Sequence, residues 1–97
     1  MQFPITRGQL QDTVRKLGFS PEEARLAVGM LEAEGHISLE GSLARVGDPT
    51  MPNAQLLAAL CREAQGGTAG SVGTYKLREF VQEVLRLARV RGRSART

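Results

Sequence analysis

Among 97 residues there is one cysteine, one histidine, no tryptophan and only four aromatic side chains. A lone Cys61 excludes an intrachain disulfide, and neither it nor His36 has a second His, Cys or carboxylate at zinc-ligand spacing. His36 follows a helix-stopping glycine at the start of a strand, and Cys61 lies among leucines on a helix face as a small core residue. Neither has an acid or base arranged beside it for nucleophilic attack, so no enzyme activity, cofactor or metal is expected. The chain also lacks any run of 18 apolar residues, and MQFPITRGQL has neither the basic start nor the apolar stretch of a signal peptide. A soluble cytoplasmic protein without membrane contact is the expectation. GGTAGSVGTYK is glycine-rich, but Lys76 stands three residues after Gly73, without a glycine directly before it or Ser/Thr behind it, and no strand leads in. That departs from the phosphate-loop pattern, and the stretch reads as a hinge.

Charge is unevenly divided. Residues 1–85 hold eight basic side chains against all ten acidic ones, a net of −2, while RLARVRGRSART (86–97) holds five arginines and no acid. The pI of about 9.8 therefore belongs to the C-terminus, and any electrostatic case for nucleic acid rests on Arg86, Arg89, Arg91, Arg93 and Arg96. Residues 91–97 are expected either to form a disordered basic tail or to act as an arm on phosphate, for which arginine has the better geometry.

What is present is well punctuated. Thr6 and Gln9 have capping-box spacing, Ile5 and Leu10 stand where a hydrophobic staple needs them, and Leu10, Val14 and Leu17 share a helical face that ends at Gly18. Ser20, Pro21 and Glu23 start a second helix by the same logic, with Ala24, Ala27, Val28 and Leu31 as its buried stripe and Gly35 as its stop. The period then changes to two. HISLE and LARVG flank Gly41-Ser42, a pair suited to a type II′ turn, which sets Ile37 against Val46 and Leu39 against Ala44 on one face. Ser38, Glu40, Leu43 and Arg45 fall on the other. DPTMPN connects to a third helix over 53–65, with Leu56, Leu57, Leu60, Cys61 and Ala64 on its apolar side. Residues 74–90 form the most amphipathic stretch, with Leu77, Phe80, Val81, Val84, Leu85 and Ala88 in one stripe.

The order of capped helix, Leu17-Gly18, Ser20-Pro21-Glu22-Glu23, longer helix and hairpin resembles, over residues 5–47, the second helix, third helix and wing of a winged helix-turn-helix domain. That superfamily includes transcription repressors, RNA-binding domains of selenocysteine elongation factors, small iron-transport regulators and pure protein adaptors. The resemblance implies a mainly α, α+β fold in which a two-stranded wing is followed by two C-terminal helices, residues 1–90 forming one domain. One departure stands out. The fold has a first helix before the helix-turn-helix, but only MQFP precedes Ile5, so residues 53–65 or a second chain must supply it. Some 43 residues bury too little apolar surface to stand alone.

The resemblance also implies that Pro21, Glu22, Arg25, Leu26, Gly29 and Met30 face the groove. Of these only Arg25 is suited to base edges. The leading expectation is a small transcription-related protein binding nucleic acid, DNA more than RNA, largely by charge, through Arg25, Arg45, Arg89, Arg91, Arg93 and Arg96. The alternative is a protein adaptor docking through the apolar pair Leu26 and Met30, which can equally be a wider core contact. A homodimer is expected, because the stripe Leu77, Phe80, Val81, Val84, Leu85 and Ala88 looks too long for so small a body to cover.

Overall fold

The computed structural model describes residues 1–47, 52–67 and 73–95, the side chains of Pro52 and of residues 92–95 excepted. The two connections expected to be a proline-bearing link and a hinge fall largely outside these residues, as does Arg96. The order of elements is β1 (Gln2–Phe3), α1 (Arg7–Lys16), α2 (Pro21–Ala33), β2 (Ile37–Glu40), β3 (Leu43–Val46), α3 (Pro52–Ala64) and α4 (Thr74–Ala95). The architecture is thus mainly helical, with a small antiparallel sheet in the order β1-β3-β2.

Local chemistry explains where α1 and α2 begin. The Thr6 hydroxyl accepts the Gln9 backbone N–H at 3.1 Å while the Gln9 side chain accepts the Thr6 N–H at 2.7 Å. Ser20 and Glu23 repeat the exchange at 3.1 and 3.0 Å, so two otherwise unsatisfied donors are paired at each helix start. The staple positions Ile5 and Leu10 are both fully buried. Thr13, the one buried polar side chain among the described residues, donates to the Gln9 carbonyl at 2.9 Å and so needs no tertiary partner.

α2 ends in a Schellman motif. Gly35 at φ +77° lets its N–H reach the Glu32 carbonyl and the His36 N–H reach the Leu31 carbonyl, each at 3.0 Å. The chain thereby reverses directly into β2. At the hairpin Gly41 has φ +57° and Ser42 has no positive φ, as a type II′ turn requires. The pairing is Ile37 with Val46, Ser38 with Arg45, Leu39 with Ala44 and Glu40 with Leu43, the register expected from alternation. Ile37, Ala44 and Val46 are buried and Leu39 is half-buried against the core.

One feature goes beyond the expectations, and another decides between two of them. Gln2 and Phe3 pair with Arg45 and Ala44, making β1 the third strand and burying Phe3. α3 packs against α1, β3 and α4 within the one chain, with Leu57, Ala58, Ala59, Leu60 and Cys61 at most 1% exposed. The missing cover for the α1–α2 unit is therefore supplied in cis. The cost of removing Cys61 from water pushes its thiol up to about 12, so it remains a neutral core group.

Two expectations are corrected. Leu77, Phe80, Val81, Val84, Leu85 and Ala88 are all between 0 and 7% exposed in a single chain, because α2 and α3 cover that side of α4. The ground for assigning this stripe to a dimer interface is thereby removed. Residues 91–95 of the expected basic tail are helical: α4 runs to Ala95, and Arg91 lies within it, ion-paired to Glu34 at the C-cap of α2.

Candidate nucleic-acid interface

The outward side of α2 carries Glu22, Arg25, Leu26, Gly29 and Ala33, all exposed. Arg25 is unpaired among the described residues and is the single side chain there able to make a bidentate contact to a base edge. Leu26 and Met30, expected as a pair, part company. Leu26 is 43% exposed, whereas Met30 is half-buried against the core beside α4. The helix turns Glu23, Met30 and Glu34 toward α4 and leaves Leu26 on the open ridge.

Glu23 and Glu34 are where two of the C-terminal arginines go. Arg89 approaches Glu23 at 3.2 Å, and Arg91 pairs with Glu34. The Glu23 carboxyl is held below its usual range, first by the Ser20 backbone N–H and further by Arg89. Of the two acids at the start of α2, Glu23 is thus partly neutralised from within the chain, which lowers the repulsion it would offer to phosphate, while Glu22 remains exposed. Arg93 sits in the last part of α4, with its side chain outside the described residues, and Arg96 lies outside them altogether. Arg45 is exposed on the outer face of the sheet, between Gln2 and Ser38 in the pairing.

Counting charge by segment misses an alignment that crosses the two segments. With 3.6 residues per turn, Arg78, Gln82, Arg86 and Arg89 fall within an arc of about 80° along α4, and all four are exposed. Two contacts show where this edge points. A methyl group built on Gly18 would lie 4.0 Å from Nη2 of Arg78, and Arg89 reaches Glu23, so the edge runs along the α1–α2 turn. At that turn Asp12, Arg15, Lys16, Phe19 and Pro21 line an open hollow of about 480 Å³. Arg15 is bound to Asp12 at 3.4 Å and Arg86 to Glu83, whose carboxyl it holds below the usual range. Lys16 and Arg78 have no ionic partner among the described residues. The helical spacing of Arg78, Arg86 and Arg89 was available in the sequence; the meeting of α4 with the α1–α2 turn was not.

No group of three His, Cys, Asp or Glu side chains among the described residues is placed to hold a metal ion, and none of the described helices is long and apolar enough to cross a membrane. Comparison of the chain with protein-family models, with characterised proteins and with solved structures found no match.

Proposed function

We propose that this chain is a winged-helix-type nucleic-acid-binding protein that grips the phosphate backbone of duplex DNA with little reading of its sequence. The observation that carries the reading is the approach of Arg78 and Arg89 of α4 to the α1–α2 turn, where Arg15 and Lys16 also stand, beside an α2 whose Glu23 is already engaged. Positive groups from two elements that meet at one edge suit a linear array of phosphates, and backbone contacts of this kind position a protein without specifying bases. The plain outward face of α2 fits the same view, since Arg25 alone offers base discrimination.

The test is binding to a random-sequence duplex followed by fluorescence anisotropy over a series of salt concentrations. Lys16→Ala and Arg78→Ala should each reduce the log–log salt slope by about 1, uniformly across sequences. Arg25→Ala should act only on a preferred sequence, if one emerges from selection. Failure to bind any duplex at low salt, or slopes unaltered by both edge variants, overturns the proposal.

A second reading, docking to another protein, is favoured by Leu26, 43% exposed on the outward ridge of α2 and unable to hydrogen-bond a base. On that reading Leu26→Ala abolishes capture of the partner and leaves duplex binding intact.

A further inference from the structure

The opposite edge of α4 has a different chemistry. From Lys76 to Arg91 it lines a cleft of about 340 Å³ whose apolar floor includes Met30, Leu56, Phe80 and Val84. Leu87 stands in this cleft 40% exposed, and Glu79 and Glu83 form part of its lip. The fifteen helical steps from Lys76 to Arg91 extend for roughly 22 Å. A trough of that length is better matched to another helix than to a compact small molecule.

We propose that the occupant is the same edge of α4 from a second copy of the chain, packed antiparallel about a twofold axis near residue 85. Charge argues for the orientation. Of the α4 charges that line the cleft, Lys76, Glu79 and Glu83 lie in the first half of the helix, a net negative charge, whereas Arg91 lies in the second. An antiparallel pair sets Glu79 of each copy opposite Arg91 of the other, and the twofold axis makes this contact twice. A parallel pair sets Arg91 against Arg91. Arg91 can keep its bond to Glu34 while donating to a second carboxylate, because a guanidinium has five N–H donors and this side chain is 60% exposed. In the same register Leu87 of each copy falls opposite Glu83 of the other and extends over the apolar floor, removing an exposed leucine from water. This interface meets the stripe buried beneath α4 only at Phe80 and Val84, where they reach the cleft floor, and it leaves the arginine edge outward on both copies. It rests on no part of the nucleic-acid reading.

Sedimentation equilibrium of the full chain at low salt, from micromolar to near-millimolar concentration, provides the test. The expected mass rises from 10.5 kDa toward twice that value. Leu87→Glu should hold the chain monomeric. Glu79→Arg and Arg91→Glu should each weaken association roughly tenfold, since the axis repeats every lost contact. The double variant carrying both changes should recover most of that loss, because it restores the same pairs with signs exchanged. Circular dichroism melting of each variant separates loss of the interface from loss of fold, and Leu87→Glu, at an exposed position, serves if Arg91→Glu loosens α2 from α4. A wild-type chain that remains monomeric throughout overturns the proposal, whether or not the cleft takes up an apolar dye or a foreign peptide. So does a dimer that survives Leu87→Glu, or a double variant no better than either single one.

Discussion

The Arg89 guanidinium of α4 donates to the Glu23 carboxylate of α2 across 3.2 Å. That carboxylate also accepts the Ser20 backbone N–H at 3.0 Å, so one side chain closes the cap of α2 and ties it to the far end of α4. The Glu23 carboxyl lies below its usual range in the folded protein. Its contribution to stability is thus present above the unfolded-state value and is lost as pH falls through the folded one. Urea unfolding of wild type and Glu23→Gln should accordingly differ at neutral pH and converge in acid. A difference that persists undiminished in acid would mean that the glutamate acts without its charge.

Ser20→Ala removes the reciprocal half of this cap. A loss of about 1 kcal/mol is expected, with a similar loss for Thr6→Ala at α1. Thermal or urea unfolding measures both. No change at either position would mean that water substitutes fully for the hydroxyl.

Leu60 is fully buried in α3, the helix that covers α1 and β3 from within the chain. Leu60→Ala should cost about 2–5 kcal/mol. A peptide of residues 1–47 should show no cooperative melting, since it carries the capped helices and the hairpin without their cover. A sharp transition in that fragment would make α3 an accessory to the core.

Leu26 and Met30 provide a paired measurement on α2. Met30→Ala should destabilise by roughly 1–3 kcal/mol, less than a fully buried residue, because Met30 is half-buried against the core. Leu26→Ala should change stability by no more than about 0.5 kcal/mol. Equal effects in unfolding experiments would return the two residues to a single surface.

Burial pushes the Cys61 thiol up to about 12. The folded protein should therefore resist thiol reagents near neutral pH and react only as it unfolds. The sign with pH follows from the raised value. Stability linked to this group is full below the unfolded thiol value and falls as pH rises toward about 12, by about 1.4 kcal/mol per pH unit. Cys61→Ala should flatten that alkaline slope. Rapid labelling of the native chain would show the thiol to be reachable.

The parts of the fold that could be read in advance are those settled by neighbours in sequence. Thr6 with Gln9, Ser20 with Glu23, and Gly41 at a hairpin each act over two or three residues, and the buried stripes of α1, α2 and α4 repeat at helical spacing. β1 escaped notice because Gln2 and Phe3 are too few to show a period, and their pairing depends on the open edge of β3. The stripe of α4 was legible, but what covers it was not, since a buried face has the same spacing whether α2 and α3 or a second chain lies against it. The C-terminal arginines misled for a related reason. Counted along the chain they make a detached basic tail, yet Arg89 and Arg91 find their acids 66 and 57 residues away, in α2 and at its C-cap.

The late position of α3 also bears on how the protein comes off the ribosome. The strand, the two capped helices and the hairpin emerge before α3, with the faces of α1 and β3 that it packs against still uncovered. Vectorial synthesis therefore exposes this apolar surface until residues 52–64 follow, and early termination in the intervening connection would release a sticky fragment rather than a smaller folded protein.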